Sequence, residues 1–132
     1  MRVVDASVVV DAFVGTGRHA DRARRELRQL PFLPVPSIFP AEVTSAIGGL
    51  LRRGALSARR ATGALAQLRV LRTVEYPFAP FEVRVWELRD TLSVYDAWYV
   101  ALAEQLGIEL VTADRRLASA SGPRCAILEP GG

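Results

Sequence analysis

Short apolar runs alternate with longer stretches of helical periodicity along the whole chain. That alternation restricts the possible folds more than any other feature. The runs are RVVD (2–5), FLPVP (32–36), TVEY (73–76), IELVT (108–112) and CAIL (125–128). Each reads as a short strand, and the prolines hold the second to a few residues. The segments between them predict helices. One starts at about Ser7, a plausible N-cap, and an arginine-rich one over 19–30 is closed by Pro31. A helix over 40–53 has Pro40 in its first turn, apolar positions Val43, Ile47, Leu50 and Leu51, and Gly54 as its stop. Ser57 opens the next, with Leu65, Leu68 and Leu71 on one stripe. Helices over 80–90 and 94–106 follow, the latter between Ser93 and Gly107, and a short one covers 113–120. Strands alternating with helices predict a parallel sheet covered on both faces, in a single α/β domain.

A chain of 132 residues, half of them hydrophobic, can bury one real core without disulfides or structural metal. No apolar run approaches the roughly 20 residues of a membrane-spanning helix. Asp5 and Asp11 interrupt the apolar N-terminal stretch, which is not the layout of a signal peptide. One cysteine, Cys125, and one histidine, His19, exclude an internal disulfide and the usual zinc sites. The expected compartment is the reducing cytoplasm. Basic residues number 17 against 14 acidic, a net charge of +3, and every basic residue is arginine. Arginine suits bidentate phosphate contacts. The absence of lysine removes a Walker lysine, Schiff-base chemistry and lysine-dependent phospho-receiver sites.

Ligands of open α/β sheets bind beyond the carboxyl ends of the strands, so the acids there carry the most information. Asp5 ends the first strand, and Glu42 lies in the first turn of the helix after the second. Asp96 follows Ser93 in a helix's first turn, and Asp114 follows the fourth strand. Each has a purely structural explanation: a capping box for Asp96, an N-cap for Asp114, the helix dipole for Glu42 and a turn for Asp5. Together they are harder to explain that way. Two carboxylates ~4 Å apart repel by about 4 kcal/mol at an effective dielectric near 20, so gathering several needs a bound cation or protonation. Oxygen ligands select a hard cation, Mg²⁺, Mn²⁺ or Ca²⁺, and such an ion suits phosphodiester hydrolysis.

The segments VVDASVVVD (3–11), PAEVTSAI (40–47) and LSVYDAWYVALAEQLGIELVTAD (92–114) resemble PIN-domain ribonucleases, more narrowly the VapC-type toxins of toxin–antitoxin pairs. The resemblance covers essentially the whole chain and implies one PIN-like nuclease domain over 1–132. It implies a three-layer α/β/α sandwich around a parallel five-stranded sheet. It places the family's acidic quartet on Asp5, Glu42, Asp96 and Asp114, holding one or two Mg²⁺ or Mn²⁺ ions for RNA hydrolysis, with Asp5 and Asp96 the most consistent ligands. Ser7 and Thr112 match hydroxyl positions supporting the site. Structured transfer or ribosomal RNA is the implied substrate, an antitoxin protein the implied partner and a homodimer the implied assembly. Gly48-Gly49, inside the helix of Glu42, departs from the pattern: two mid-helix glycines cost about 1 kcal/mol each.

Other residues have two readings. Arg115 and Arg116 could grip an RNA phosphate or simply solubilise a helix. Arg22, Arg24, Arg25 and Arg28 read as a solvated face, and Asp11 as a solvated helix position. Asp90 and Glu104 read as surface acids, Asp90 with a second reading near a groove. Trp86, Trp98 and Tyr99 read as core, whereas Tyr95 has a better chance of facing a groove. His19 reads as exposed and Cys125 as a small core residue. The apolar stripes on 43–51 and 65–71 could be core, dimer interface or partner groove. The alternatives to a metal-dependent endoribonuclease are a non-catalytic RNA-binding or scaffold module, a DNA nuclease, and a phosphatase using Asp5 as nucleophile. The last wants a second aspartate where Ser7 stands.

Overall fold

The computed structural model describes residues 1–131. β1 (Val3–Val4) pairs in parallel with β4 (Leu110–Val111), and β4 with β5 (Ile127–Leu128). β2 (Leu33–Pro36) pairs in parallel with β3 (Thr73–Tyr76). All the pairings are parallel, as the alternation requires, but the strands form a three-stranded and a two-stranded sheet rather than one of five. The prolines supply the reason. The backbone N–H groups of Leu33 and Ser37 donate to Arg72 and Tyr76, on the β3 side. The alternate residues, Pro34 and Pro36, turn their backbone toward β1, which lies alongside β2. They have no N–H to donate, so β1 and β2 abut without a ladder.

Successive strand residues point to opposite faces. Both residues of β1, both of β4 and all four of β2 are buried. Both faces are therefore covered, the condition for a parallel sheet between helical layers. α6 (Val94–Leu106) lies against β1, β2 and β4, with α5 (Glu82–Glu87) beside it. α1 (Ala6–Val14) packs on α2 (Arg18–Arg28), α3 (Phe39–Arg52) and α4 (Ala58–Val70). The short α7 (Arg115–Ala118) precedes β5.

Local signals explain the helix ends. Ser57 and Ser93 each accept the backbone N–H three residues on. Gly107 ends α6 with φ +66°, a conformation that other residues adopt only with strain. α1 begins two residues earlier than expected: Asp5, not Ser7, holds the N-cap place. The helix expected over 80–90 is a single 3₁₀ turn at Ala79–Phe81 followed by α5.

The stripes resolve mainly as core. Val43 and Ile47 are buried, and Leu65, Leu68 and Leu71 pack on the core from its margin. Trp98 and Tyr99 are buried as expected. Trp86 is not: it is 63% exposed, with the Arg89 guanidinium 4.7 Å from its ring centroid. Two acids are structural, Glu104 among them although it reads as a surface group. Glu26, in the arginine-rich helix, is 3% exposed and accepts Arg2 Nη1 at 2.7 Å. Glu104 accepts Arg84 at both oxygens and the Arg124 backbone N–H. Arg24 is equally committed, donating to the Ala12 and Gly15 carbonyls.

The Arg2–Glu26 pair ties the start of β1 to α2. Arg2→Ala would leave Glu26 buried without its counter-charge, and a lost partner of this kind costs about 2–3 kcal/mol after allowing for the partial exposure of Arg2. Glu26→Gln in the Arg2→Ala background should recover part of that loss. Urea unfolding of the three proteins checks both values.

Candidate active site

Strand pairing builds the site. Parallel pairing of β1 with β4 ends with Asp5 N–H donating to Val111 C=O at 2.9 Å, so the residues after each strand lie together. The side chain of Asp5 is buried there, 7% exposed, and needs partners. Thr112 Oγ1 donates to Asp5 Oδ2 at 2.7 Å and Ser7 Oγ donates to the same oxygen at 3.0 Å. Each hydroxyl also accepts a backbone N–H from the β4–α7 turn: Asp114 N–H for Thr112 at 3.0 Å, Ala113 N–H for Ser7 at 3.2 Å. These acceptances fix both hydroxyl protons on Asp5. The other carboxylate oxygen, Oδ1, is left without a side-chain donor among the described residues.

The other three acids come from three further elements. Glu42, in the first turn of α3, accepts the Tyr99 hydroxyl at Oε1, 2.7 Å away. Asp96, in the first turn of α6, gives its backbone N–H to Ser93 Oγ at 3.1 Å, one half of the expected capping box. Asp114 caps α7 by accepting Arg116 N–H at 2.9 Å. All four line one groove of about 620 Å³. Their helix-start and cap roles are real, and they share a site as well.

The electrostatics follow. Burial raises the Asp5 carboxyl above its ordinary pKa, against the hydrogen bonds of Thr112 and Ser7. Burial raises Glu42 too, opposed by the Tyr99 hydroxyl and reinforced by the charges of Asp5 and Asp96. Asp96 is raised by burial and then by Asp5. The Tyr99 hydroxyl is held protonated, by burial and by the Glu42 carboxylate it serves. The site thus gathers anions whose charged forms are disfavoured, which a cation would relieve.

The donor set suits a hard cation. Asp5 Oδ1 and Glu42 Oε2 are free of side-chain donors among the described residues, and oxygen is the preferred ligand of such ions. Among the described residues no three acids close on a common point. Mg²⁺ does not require that, since it keeps several waters and typically takes one or two carboxylates.

Several residues were placed differently by the sequence. Asp11 is half-buried and lines the groove, one helical turn from Ser7; that i, i+4 spacing was the available signal. Tyr99 is core, as read, but its hydroxyl reaches Glu42. Arg52 and Arg53 line the groove, whereas Arg115 lines a neighbouring one with His19 and Arg22. Arg116 is exposed at the rim, 3.4 Å from Asp114 Oδ2. Tyr95 is exposed, and neither it nor Asp90 lines the groove.

Comparison with known proteins identifies the family. The PIN domain family matches residues 2–123. Ribonuclease VapC9 of Mycobacterium tuberculosis is 39% identical over 127 residues, 96% of each chain. Among solved structures, PAE2754 from Pyrobaculum aerophilum superposes with a TM-score of 0.70 at 25% identity, covering 97% of this chain and 82% of that one. A toxin–antitoxin complex from Klebsiella pneumoniae gives a TM-score of 0.62 at 21% identity, covering 98% of both chains.

An acid whose pKa is raised on folding stabilises the fold below its unfolded value, and that contribution is lost as pH rises through the folded value. For Asp5 the unfolded reference is 3.8. Asp5→Asn, which keeps an acceptor for Thr112 and Ser7, should therefore raise the melting temperature of metal-free protein at pH 7.5 by about 4 °C, the shift that about 1 kcal/mol gives at this size. The advantage should vanish near pH 4, as thermal melts at the two pH values would show.

Proposed function

The chain belongs to the PIN domain family, on its VapC branch, and from that premise we propose that it is an endoribonuclease acting as the toxin of a toxin–antitoxin pair. The observation that carries the reading is that Asp5, Glu42, Asp96 and Asp114, from four separate elements, line one groove. Mg²⁺ or Mn²⁺, as one or two ions, is the cofactor of this reading. Asp5 and Asp96 would hold it, with Glu42 and Asp114 beside them. When bound, the ion would supply the positive charge that lowers the pKa of a water and stabilises the oxyanion leaving an RNA phosphodiester.

The chain's own residues prepare that chemistry. Ser7 and Thr112 orient Asp5 by donating to one oxygen and leaving the other for a ligand. Tyr99 does the same for Glu42. Because each hydroxyl is itself held by the backbone or by burial, the carboxylates keep their orientation before substrate arrives, which is the preorganisation that catalysis depends on. Asp11, beside Ser7 in the groove, adds negative charge at the edge of the cluster.

The substrate of this reading is structured RNA, transfer or ribosomal. The partner is an antitoxin protein that covers the groove, an assignment supported by the likeness to the Klebsiella toxin–antitoxin complex. The assembly is a homodimer in the cytoplasm. No helix among the described residues is long and apolar enough to cross a membrane.

Asp5→Ala and Asp96→Ala should each reduce RNA cleavage by about 10³-fold or more, the scale on which a main electrostatic contributor acts. Both should abolish growth inhibition while leaving the circular dichroism spectrum unchanged. Cleavage of RNA by both folded variants at the wild-type rate would remove these acids from the mechanism.

A further inference from the structure

Resting on the ribonuclease reading above, we propose that Arg52 and Arg53, seated over Gly48 and Gly49, grip a phosphate of the RNA strand beside the one that is cut. The α3 wall of the groove runs through Glu42, Ala46, Gly49 and Arg53, the spacing of one helix face. It begins with a carboxylate and ends with two guanidiniums. Arg52 and Arg53 both line the groove, and neither side chain makes an ion pair or hydrogen bond among the described residues. Arg2, Arg24, Arg60 and Arg84, by contrast, are committed to carboxylates or carbonyls.

The glycines explain how the two guanidiniums lie. Each folds back one turn along α3. A Cβ on Gly48 would stand 3.3 Å from Arg52 Nη1, and one on Gly49 would stand 3.2 Å from Arg53 Nη1. Those approaches are tighter than side chains normally allow, so the bare Cα atoms give the planar groups a place against the helix. The two mid-helix glycines, which otherwise weaken the helix, leave this space open. The arrangement is specific to the pair: each glycine precedes its arginine by four residues.

Position decides what the pair does. Gly49 is seven residues along α3 from Glu42, about 10 Å of helix rise. That separation keeps the guanidiniums from neutralising the acid cluster and sets them beside it. A phosphate strand crossing the groove would meet carboxylates at the scissile position and two planar cations one step away. Guanidinium matches phosphate oxygens bidentately. The pair acts on a flanking phosphate, so its energy goes into binding and not into the chemical step.

The test uses the full-length protein, with a fluorescein-labelled RNA hairpin as substrate for cleavage in Mn²⁺ and as ligand for anisotropy in EDTA. R52A/R53A should raise KM and Kd about tenfold with kcat within about twofold. It should also flatten the dependence of log Kd on log salt by about 0.7, the slope of one single-strand phosphate contact. R52K/R53K should restore most of the salt slope and only part of the affinity. Gly49→Ala should raise the melting temperature, because alanine favours helix, while raising KM; a purely structural glycine would not couple the two. Wild-type KM, Kd and salt slope in R52A/R53A would overturn the proposal, as would a loss confined to kcat. It would also be overturned if R52A/R53A bound RNA normally but lost a protein partner, which would make the pair a protein interface. A wild-type protein that binds the hairpin through these arginines but never cuts RNA would overturn the ribonuclease reading and leave the phosphate grip standing.

Discussion

Val3 and Val4 pair in parallel with Leu110 and Val111, and that pairing brings together two chain segments more than a hundred residues apart. Asp5 ends one and Thr112 begins the exit from the other, so the Thr112 hydroxyl falls 2.7 Å from the Asp5 carboxylate. The rest of the site hangs on that junction. α1 starts at once after Asp5 and presents Ser7; two residues past Thr112, Asp114 caps the start of α7. α6, lying against β1, β2 and β4, carries Asp96 at its start and Tyr99 one turn later. The apolar core fixes the strands and helices, these fix the carboxylates, and hydroxyls set which oxygen of Asp5 and of Glu42 remains available.

The arrangement is costly in a metal-free protein. Asp5, Glu42 and Asp96 are all held where their charged forms are disfavoured, by burial and by one another. Committed pairs elsewhere, Arg2 with Glu26 and Arg84 with Glu104, do not touch this strain; they pin distant elements to the scaffold. Functional sites commonly store such instability, and a bound cation would convert it into binding energy. The groove also sorts charge along its length, with acids near the strand ends and, at the far end of α3, two arginines without an ion pair among the described residues. A polyanion needs both.

How much of this could be read from sequence depended on how local each cause is. Asp5, Glu42, Asp96 and Asp114 were legible because each sits at a strand end or a helix start, where sequence spacing fixes position. Ser7 and Thr112 came only with the family resemblance. Tyr99 was read as core, correctly, but its hydroxyl meets a carboxylate 57 residues away, which no local pattern encodes. Asp11 could have been found from its spacing to Ser7. Arg115 and Arg116 drew attention by adjacency to Asp114, yet Arg52 and Arg53 face the groove, because the course of α3 and not nearness in sequence sets which cations do. Pro34 and Pro36 were read as limiting a strand's length. Their larger effect was to remove the donors between β1 and β2 and divide the expected sheet.

The central claim is that this groove cuts RNA with a divalent cation held by carboxylates. Purified wild-type protein, freed of any partner, should be incubated with total cellular RNA in Mg²⁺, in Mn²⁺ and in excess EDTA. Discrete fragments that require metal and return when Mn²⁺ is restored are the predicted result. Intact RNA in all conditions, from folded protein shown by titration to have bound Mn²⁺, would contradict the account and leave the four acids as helix caps on a binding module.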